Sequence, residues 1–499
     1  MRKIKPSTWL IIILIFALIL RLTLFTGLNW SDDPGYANDA NRVSHGTFYL
    51  GNWVNGMRLG IIYPIAFSFA FFGVNDLSVA LYPLLCSLGS IIVIFLLGKR
   101  MINPQAGLIG ALLLAVFPIN IIYSTWPMPD VPLALFGALS ILLFFKAQEL
   151  NTGWKRRMLF GLSGLLIGWC YLHKISGMIF ILFLCPVMIY YMLKQKRIDW
   201  DYAFFFFGLG ILVLAESIFY YIYSGDLLAR YHTVTGFFQQ GRAGLNPNMW
   251  YHPRNMFNFA HGRYLWGNKY LVQYGLFYYF FAAATVFLIL RLIFKKDTKW
   301  LMPFFWFITL FAYLEFGSMK LTHFVPIHKL ARHLTVLTIP GILLIVYSLY
   351  TLKPKWVKYT FGSIIVGFLV ISSIYFAANT HQYLYASTYD IKQMHEYFKG
   401  YTKLPIYVDL GTYYHLIFYF QYERNKQIKN FAFVNLTNLH NSLIVVNGSR
   451  GVLENSLGAN MVPGFFQKPL PQNWEKLQTI KGPEIAVWSR YNPEIYYIK

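Results

Sequence analysis

An adjacent pair of acids, Asp32-Asp33, stands in the stretch Asn29-Trp-Ser-Asp-Asp-Pro-Gly-Tyr36, directly after the first membrane-length apolar run. Carboxylates near a bilayer lose hydration, so a chain tends to place them there for charge pairing, a metal or proton transfer. The plainer reading is a solvated turn, with Asp and Pro-Gly as turn formers. Other polar residues stand out in the same way. Asp130 follows Trp126-Pro-Met-Pro, His173-Lys174 sits between two apolar runs with almost no loop, and Lys329, Arg332 and His333 close a polar stretch that begins at Lys320.

The composition says what must position these residues. The chain has 499 residues, 57% hydrophobic, 19% aromatic and 13% charged, with a mean hydropathy of +0.45, which excludes a soluble domain of this length. The formal charge of +23 sits largely in short clusters between apolar runs, as topology signals do, so nucleic acid is not an expected partner. Cys86, Cys170 and Cys185 lie in apolar runs without C-x-x-C spacing, which argues against a disulfide framework or a thiolate metal site.

Apolar runs of about 20 residues span a bilayer as helices. About eleven are expected: 8–28, 77–98, 106–123, 131–147, 158–173, 176–193, 203–223, 273–294, 300–317, 333–351 and 358–378. Arg2, Lys3 and Lys5 before the first place the N-terminus in the cytoplasm, and the first run reads as an anchor rather than a removed signal peptide. Leu59 to Val74 is short and rich in Gly, Pro and aromatics. Read as a non-spanning juxtamembrane element, it leaves all the main basic clusters cytoplasmic. The polar residues singled out above, with Asp39, Arg42, His45 and Arg58 and the loop containing His232, Arg242, His252, Arg254, His261 and Arg263, then share the outer side.

From about residue 379 the apolar runs shorten and turn formers increase. A helix over 388–399 and strands over 404–410, 431–436, 443–447 and 484–489 predict a small extracytoplasmic α/β domain. The expected organisation is a transmembrane catalytic domain over 1–378 and this domain over 379–499. Asp409, His415 and His440 show no spacing that assigns them a role.

A sugar donor carried on a polyprenyl phosphate keeps its tail in lipid and its phosphate at the headgroup level. An enzyme using it needs interfacial cations to balance the leaving phosphate and a carboxylate to take the proton of the incoming hydroxyl. Either Asp32 or Asp33 can be that base, with Lys174, Lys329 and Arg332 as phosphate partners. No Walker-A pattern and no strand-borne G-x-G-x-x-G is evident, which fits a lipid-linked rather than a nucleotide donor.

These residues carry a family resemblance. Asp32-Asp33-Pro-Gly-Tyr36, then Ala40 to Gly46, then the apolar stretch ending Phe71-Phe-Gly73, resembles the first outer loop of the GT-C glycosyltransferases. The protein O-mannosyltransferase and aminoarabinose transferase group is the most similar pattern. Asp130 resembles the acid of their second outer loop. Lys174, in Gly168-Trp-Cys-Tyr-Leu-His-Lys-Ile-Ser-Gly177, resembles their lysine after a Gly-containing helix, and Lys329-Leu-Ala-Arg332 to Pro340 resembles their late Arg-Tyr...Pro element. The resemblance covers about 8–378.

It implies a polytopic GT-C architecture and inverting transfer from a polyprenyl- or dolichyl-phosphate sugar to a protein, lipid or glycan acceptor at the outer face of the plasma or inner membrane. By the same resemblance Asp32 aligns with the base and Asp33 with the neighbouring acid. Tyr36, Arg58, Asp130, Lys174, Lys329, Arg332 and His333 are the expected substrate contacts. No cofactor is required. A divalent metal stays possible, although no Glu follows Asp39 in the first loop where a metal-contacting acid is expected. The competing classes are a transporter or flippase of lipid-linked glycans, for which only Glu216 and Glu315 offer charge inside spans, and a non-catalytic assembly subunit.

Overall fold

A computed structural model describes residues 5–29, 31–51, 54–239, 250–253, 274–298, 300–318, 324–327, 329–401, 403–423, 427–431, 434, 439–446, 472–480 and 493–499. Arg242, Arg254, His261, Arg263, Lys320 and the strand expected over 484–489 lie outside these residues. Sixteen helices occur among the described residues. The first eleven are α1 (Pro6–Thr23), α2 (Asp33–Ser44), α3 (Leu59–Phe72), α4 (Asp76–Met101), α5 (Pro104–Ala115), α6 (Pro118–Ser124), α7 (Asp130–Gln148), α8 (Trp154–His173), α9 (Ile181–Gln195), α10 (Ala203–Ser224) and α11 (Ala229–Gln239). The other five are α12 (Phe277–Lys295), α13 (Leu301–Phe316), α14 (Thr338–Tyr350), α15 (Lys355–Phe398) and α16 (Leu410–Tyr419).

Among the described residues, eight helical stretches are long and apolar enough to cross a membrane, and the α5–α6 pair, bent by 61°, makes a ninth if it counts as one span. Two of the eleven expected runs form helices outside that set. α8 opens with Lys155, Arg156 and Arg157, and α13 has only 16 residues. α3, at 14 residues, is also too short to cross the ~30 Å hydrocarbon core unaided.

The chain forms two compact units. One comprises residues 1–25, 49–64 and 80–380. Its central helices are α7 and the stretch Ala331–Tyr350, whose apolar windows are 78% and 83% buried, against 11% for α1. Pro118, which lacks an N–H, restarts the chain after α5 and accounts for the bend. Arg21 of α1, wholly buried, fastens it. It donates to Ser87 Oγ and Asn120 Oδ1, both at 2.7 Å, and to the carbonyls of Ala17 and Ala115, both at 3.0 Å. The Ala115 carbonyl ends α5, where the helix dipole favours a cation. Arg21 therefore acts as an internal clamp of its own unit.

α8 and α10 cross at backbone contact. A Cβ on Gly164 would lie 1.8 Å from the Phe205 carbonyl oxygen, and one on Gly208 would lie 2.0 Å from that of Gly161. Small residues permit such an approach, and each added methyl forces the helices apart. At the far end of α8 from Lys174, Arg156 pairs with Asp199 and lies 2.9 Å from Asp201. Gly164→Ala is therefore expected to cost about 1–3 kcal/mol, read as a lower melting temperature of the purified protein, with Gly210→Ala, which meets open space, as the tolerated control.

The second unit comprises residues 26–48, 65–79 and 381–499. Its mixed sheet is built from β1 (Ile406–Val408), β2 (Ile428–Asn430), β3 (Ser442–Val446), β4 (Trp474–Thr479) and β5 (Glu494–Ile498), in the order β2-β1-β3-β5-β4. β1 pairs in parallel with β2 and β3, while β5 runs antiparallel to β3 and β4. Alternation sorts the two faces. Ile406, Val408, Leu443, Val445 and Ile495 pack with Ile391, Met394 and Phe398 of α15 and Leu416 of α16, while Tyr407, Ile444, Trp474 and Ile498 form the opposite core. The helix expected over 388–399 is the end of the 44-residue α15. No Gly or Pro lies between Gly367 and Gly400 to stop it.

Candidate functional site

In the second unit, Pro34 sits in the first turn of α2, where its missing N–H costs nothing. Asp32 occupies the N-cap position, is partly exposed, and makes no capping hydrogen bond with its side chain. Asp33, one residue on, is fully buried, and its carboxylate accepts the backbone N–H of Asn29. The two acids, equal in the sequence, thus face different surroundings. Tyr36 is also fully buried and donates its backbone N–H to the Asp32 carbonyl at 3.2 Å.

A residue without an assigned role completes the loop. His415 of α16 places Nε2 3.1 Å from the Asn29 carbonyl and Nδ1 2.8 Å from the Gly411 carbonyl. Both nitrogens face carbonyl oxygens, so the ring bridges the loop and α16. Asp409 caps the same helix, accepting from the Thr412 N–H at 3.0 Å. Burial pushes Asp39 up to about 6, while Arg42 at 3.6 Å pulls it back. Tyr419 is pushed up by burial and then by the charges of Asp76 and Asp33. Acids and phenols thus gather around α2.

In the other unit, Asp130 opens α7 directly after the N-cap Pro129, with its side chain 6% exposed. The Lys174 ammonium stands 3.8 Å from one carboxylate oxygen and the Arg332 Nε 3.9 Å from the other. These are ion-pair distances, too long for direct hydrogen bonds. Asp130 thus stands as a counter-charge shared by two cations. The short link between α8 and the 3-10 turn Ile175–Phe180 sets Lys174 in extended backbone. Its carbonyl accepts the Gly177 N–H at 2.7 Å. A Cβ on Gly177 would lie 2.4 Å from the Cys170 carbonyl, so only Gly fits that turn. Arg332 comes from the 3-10 segment Ala331–Leu337 that leads into α14.

Lys329 is 1% exposed and lies 2.9 Å from Glu315, which also accepts the His252 N–H at 3.2 Å. Its charge is therefore matched by a carboxylate. His333 is partly buried and donates its backbone N–H to the Leu330 carbonyl at 3.0 Å. Arg58, partly buried, precedes α3, and its carbonyl accepts the Ile61 and Ile62 N–H groups.

One network went unread in the sequence. Glu216 of α10 pairs with Arg230, whose guanidinium lies 4.5 Å from the centre of the Tyr171 ring. Tyr220 donates to the Met57 carbonyl at 2.7 Å. The signal for it was the isolated Glu within an apolar run, which needs a cation. Among the described residues, no group of three or more His, Cys, Asp or Glu could hold a metal ion.

Comparison with known proteins agrees with the resemblance. Residues 59–221 match the family model for dolichyl-phosphate-mannose-protein mannosyltransferase. The chain has a GT-C fold. It is similar to the structure of ArnT from Cupriavidus metallidurans bound to undecaprenyl phosphate, at 13% identity and a TM-score of 0.60, over 98% of each chain. The oligosaccharyltransferase of Archaeoglobus fulgidus in its apo form aligns with 92% of this GT-C chain and 72% of its own, at 11% identity and a TM-score of 0.58. The complex of that organism's AglB with an inhibitory peptide and a dolichol-phosphate aligns over 85% and 64%, at 11% identity and a TM-score of 0.53. No curated protein matches the sequence.

Proposed function

We propose that the protein is a membrane glycosyltransferase that moves a sugar from a polyprenyl-phosphate donor to an acceptor hydroxyl, with inversion at the anomeric carbon. The observation that carries this reading is the buried Asp130 flanked by Lys174 and Arg332. Its two cations suit a phosphate leaving group. The match to a mannosyltransferase family model and the undecaprenyl phosphate and dolichol-phosphate named for ArnT and AglB support a lipid-phosphate donor.

In the transfer, the acceptor oxygen attacks the anomeric carbon as the bond from that carbon to the phosphate oxygen breaks. The acceptor proton passes to Asp32, and the electron pair departs with the polyprenyl phosphate, whose charge Lys174 and Arg332 balance. Asp33 holds the conformation of the loop that carries Asp32. The proposed orientation puts the N-terminus in the cytoplasm and residues 379–499 outside.

Lys174→Gln and Arg332→Gln test the assignment in a transfer assay with a synthetic polyprenyl-phosphate sugar. Each removes a charge-assisted contact worth about 1.5–3 kcal/mol, so the donor KM should rise by roughly 10- to 100-fold. If donor KM and kcat both stay at the parent values in the two variants, the phosphate site is misassigned.

A further inference from the structure

A cavity of about 410 Å³ lies where α12, α14 and α15 meet. Arg291, Lys353, Lys355 and Lys358 line it, with Asp297 as the one carboxylate. Asp297 is already engaged, taking Arg291 at 3.0 Å and the Tyr347 hydroxyl at 3.0 and 3.1 Å. Lys358 leans over the Tyr350 ring, 3.7 Å from its centre. Among the described residues, no carboxylate lies within 4.0 Å of Lys353, Lys355 or Lys358. Three ammonium groups around one hollow repel one another unless an anion sits among them.

Cations at span ends also serve as topology signals, but that role needs no cavity. The surroundings indicate which anion fits. Trp356 and Tyr359 flank the lysines and are 70% and 62% exposed, and Phe361, Ile364 and Phe368 continue the exposed apolar surface along α15. Aromatic side chains favour the headgroup level, and an apolar helix face below it suits acyl chains. Basic pockets between transmembrane helices bind phosphate-bearing headgroups.

We propose that this cavity binds the phosphodiester headgroup of an anionic membrane lipid, with its acyl chains along α15. The site is separate from the Asp130 triad. Arg332 begins the stretch Ala331–Tyr350 and the cavity lies at its other end, so the two are about 25–30 Å apart at helical rise.

The test uses the full chain in detergent, with thermal unfolding followed as dioctanoyl phosphatidylglycerol, dioctanoyl phosphatidylcholine or inorganic phosphate is added at matched concentrations. A ligand of the folded state raises the midpoint by mass action. Phosphatidylglycerol is expected to raise it by several degrees and the other two to leave it unchanged. The triple variant Lys353→Gln, Lys355→Gln, Lys358→Gln should lose that rise. The control triple Lys194→Gln, Lys196→Gln, Arg197→Gln, which removes the same charge elsewhere, should keep it. An undiminished rise in the first triple overturns the site, as does an equal rise with phosphatidylcholine. An equal rise with inorganic phosphate overturns the lipid assignment. Where the first triple does not fold, Lys358→Gln alone is read by native mass spectrometry. Loss of retained phosphatidylglycerol supports the site, and full retention overturns it.

Discussion

Asp32→Asn is expected to lower the rate of sugar transfer by roughly 10²–10⁴-fold while leaving polyprenyl phosphate binding near the parent level. The amide keeps the shape of the carboxylate but cannot accept the acceptor's proton. Asp33→Asn is expected to behave differently, because Asp33 is buried and its carboxylate receives the Asn29 N–H. Losing a charged hydrogen-bond acceptor there costs about 1–3 kcal/mol, so its first effect is a lower melting temperature. Its activity follows the folded fraction. Single-turnover rates and melting curves on both variants separate the roles. Full transfer by Asp32→Asn would remove Asp32 from the chemistry, and a larger rate loss in a fully folded Asp33→Asn would exchange the two.

The buried pair Lys329–Glu315 sets the second large effect. Both side chains are at most 1% exposed, and their charges lie 2.9 Å apart. Lys329→Met leaves the Glu315 carboxylate without its cation and is expected to cost about 3–5 kcal/mol, whereas Lys329→Met with Glu315→Leu should recover much of that, since apolar replacement of a buried pair is often near neutral. Thermal unfolding of the two singles and the double closes the cycle. Were Lys329 a phosphate ligand, the double variant would fold but bind the donor weakly. A parent-like donor KM in the double assigns Lys329 to structure alone.

How much of this was legible varies by residue. Asp130, Lys174 and Arg332 were readable because each sits at the end of an apolar run, where a charge is conspicuous. The structure then brings them within 4.0 Å. Lys329 looked equivalent to Arg332, three residues away, because its partner Glu315 lies 14 residues upstream and no local spacing announces such a pair.

Only the family resemblance ranked Asp32 above Asp33; the residues by themselves did not, since the direction in which α2 begins decides which one is buried. β3 was anticipated from its apolar run, whereas β4 was not. β4 buries only Trp474 among six residues, so it lacks the alternation that identifies a strand. The end of the apolar run near residue 378 likewise concealed the continuity of α15.

The bond from His415 to the Asn29 carbonyl joins residues 386 positions apart. During synthesis at about 5–20 residues per second, His415 emerges roughly 20–80 s after Asn29. Throughout that interval the acidic loop exists without the contact that braces it. Bracing at that position therefore waits until residue 415 has been made. Chains that stop before His415 would then carry the acids of the first loop yet lack the contact that braces it.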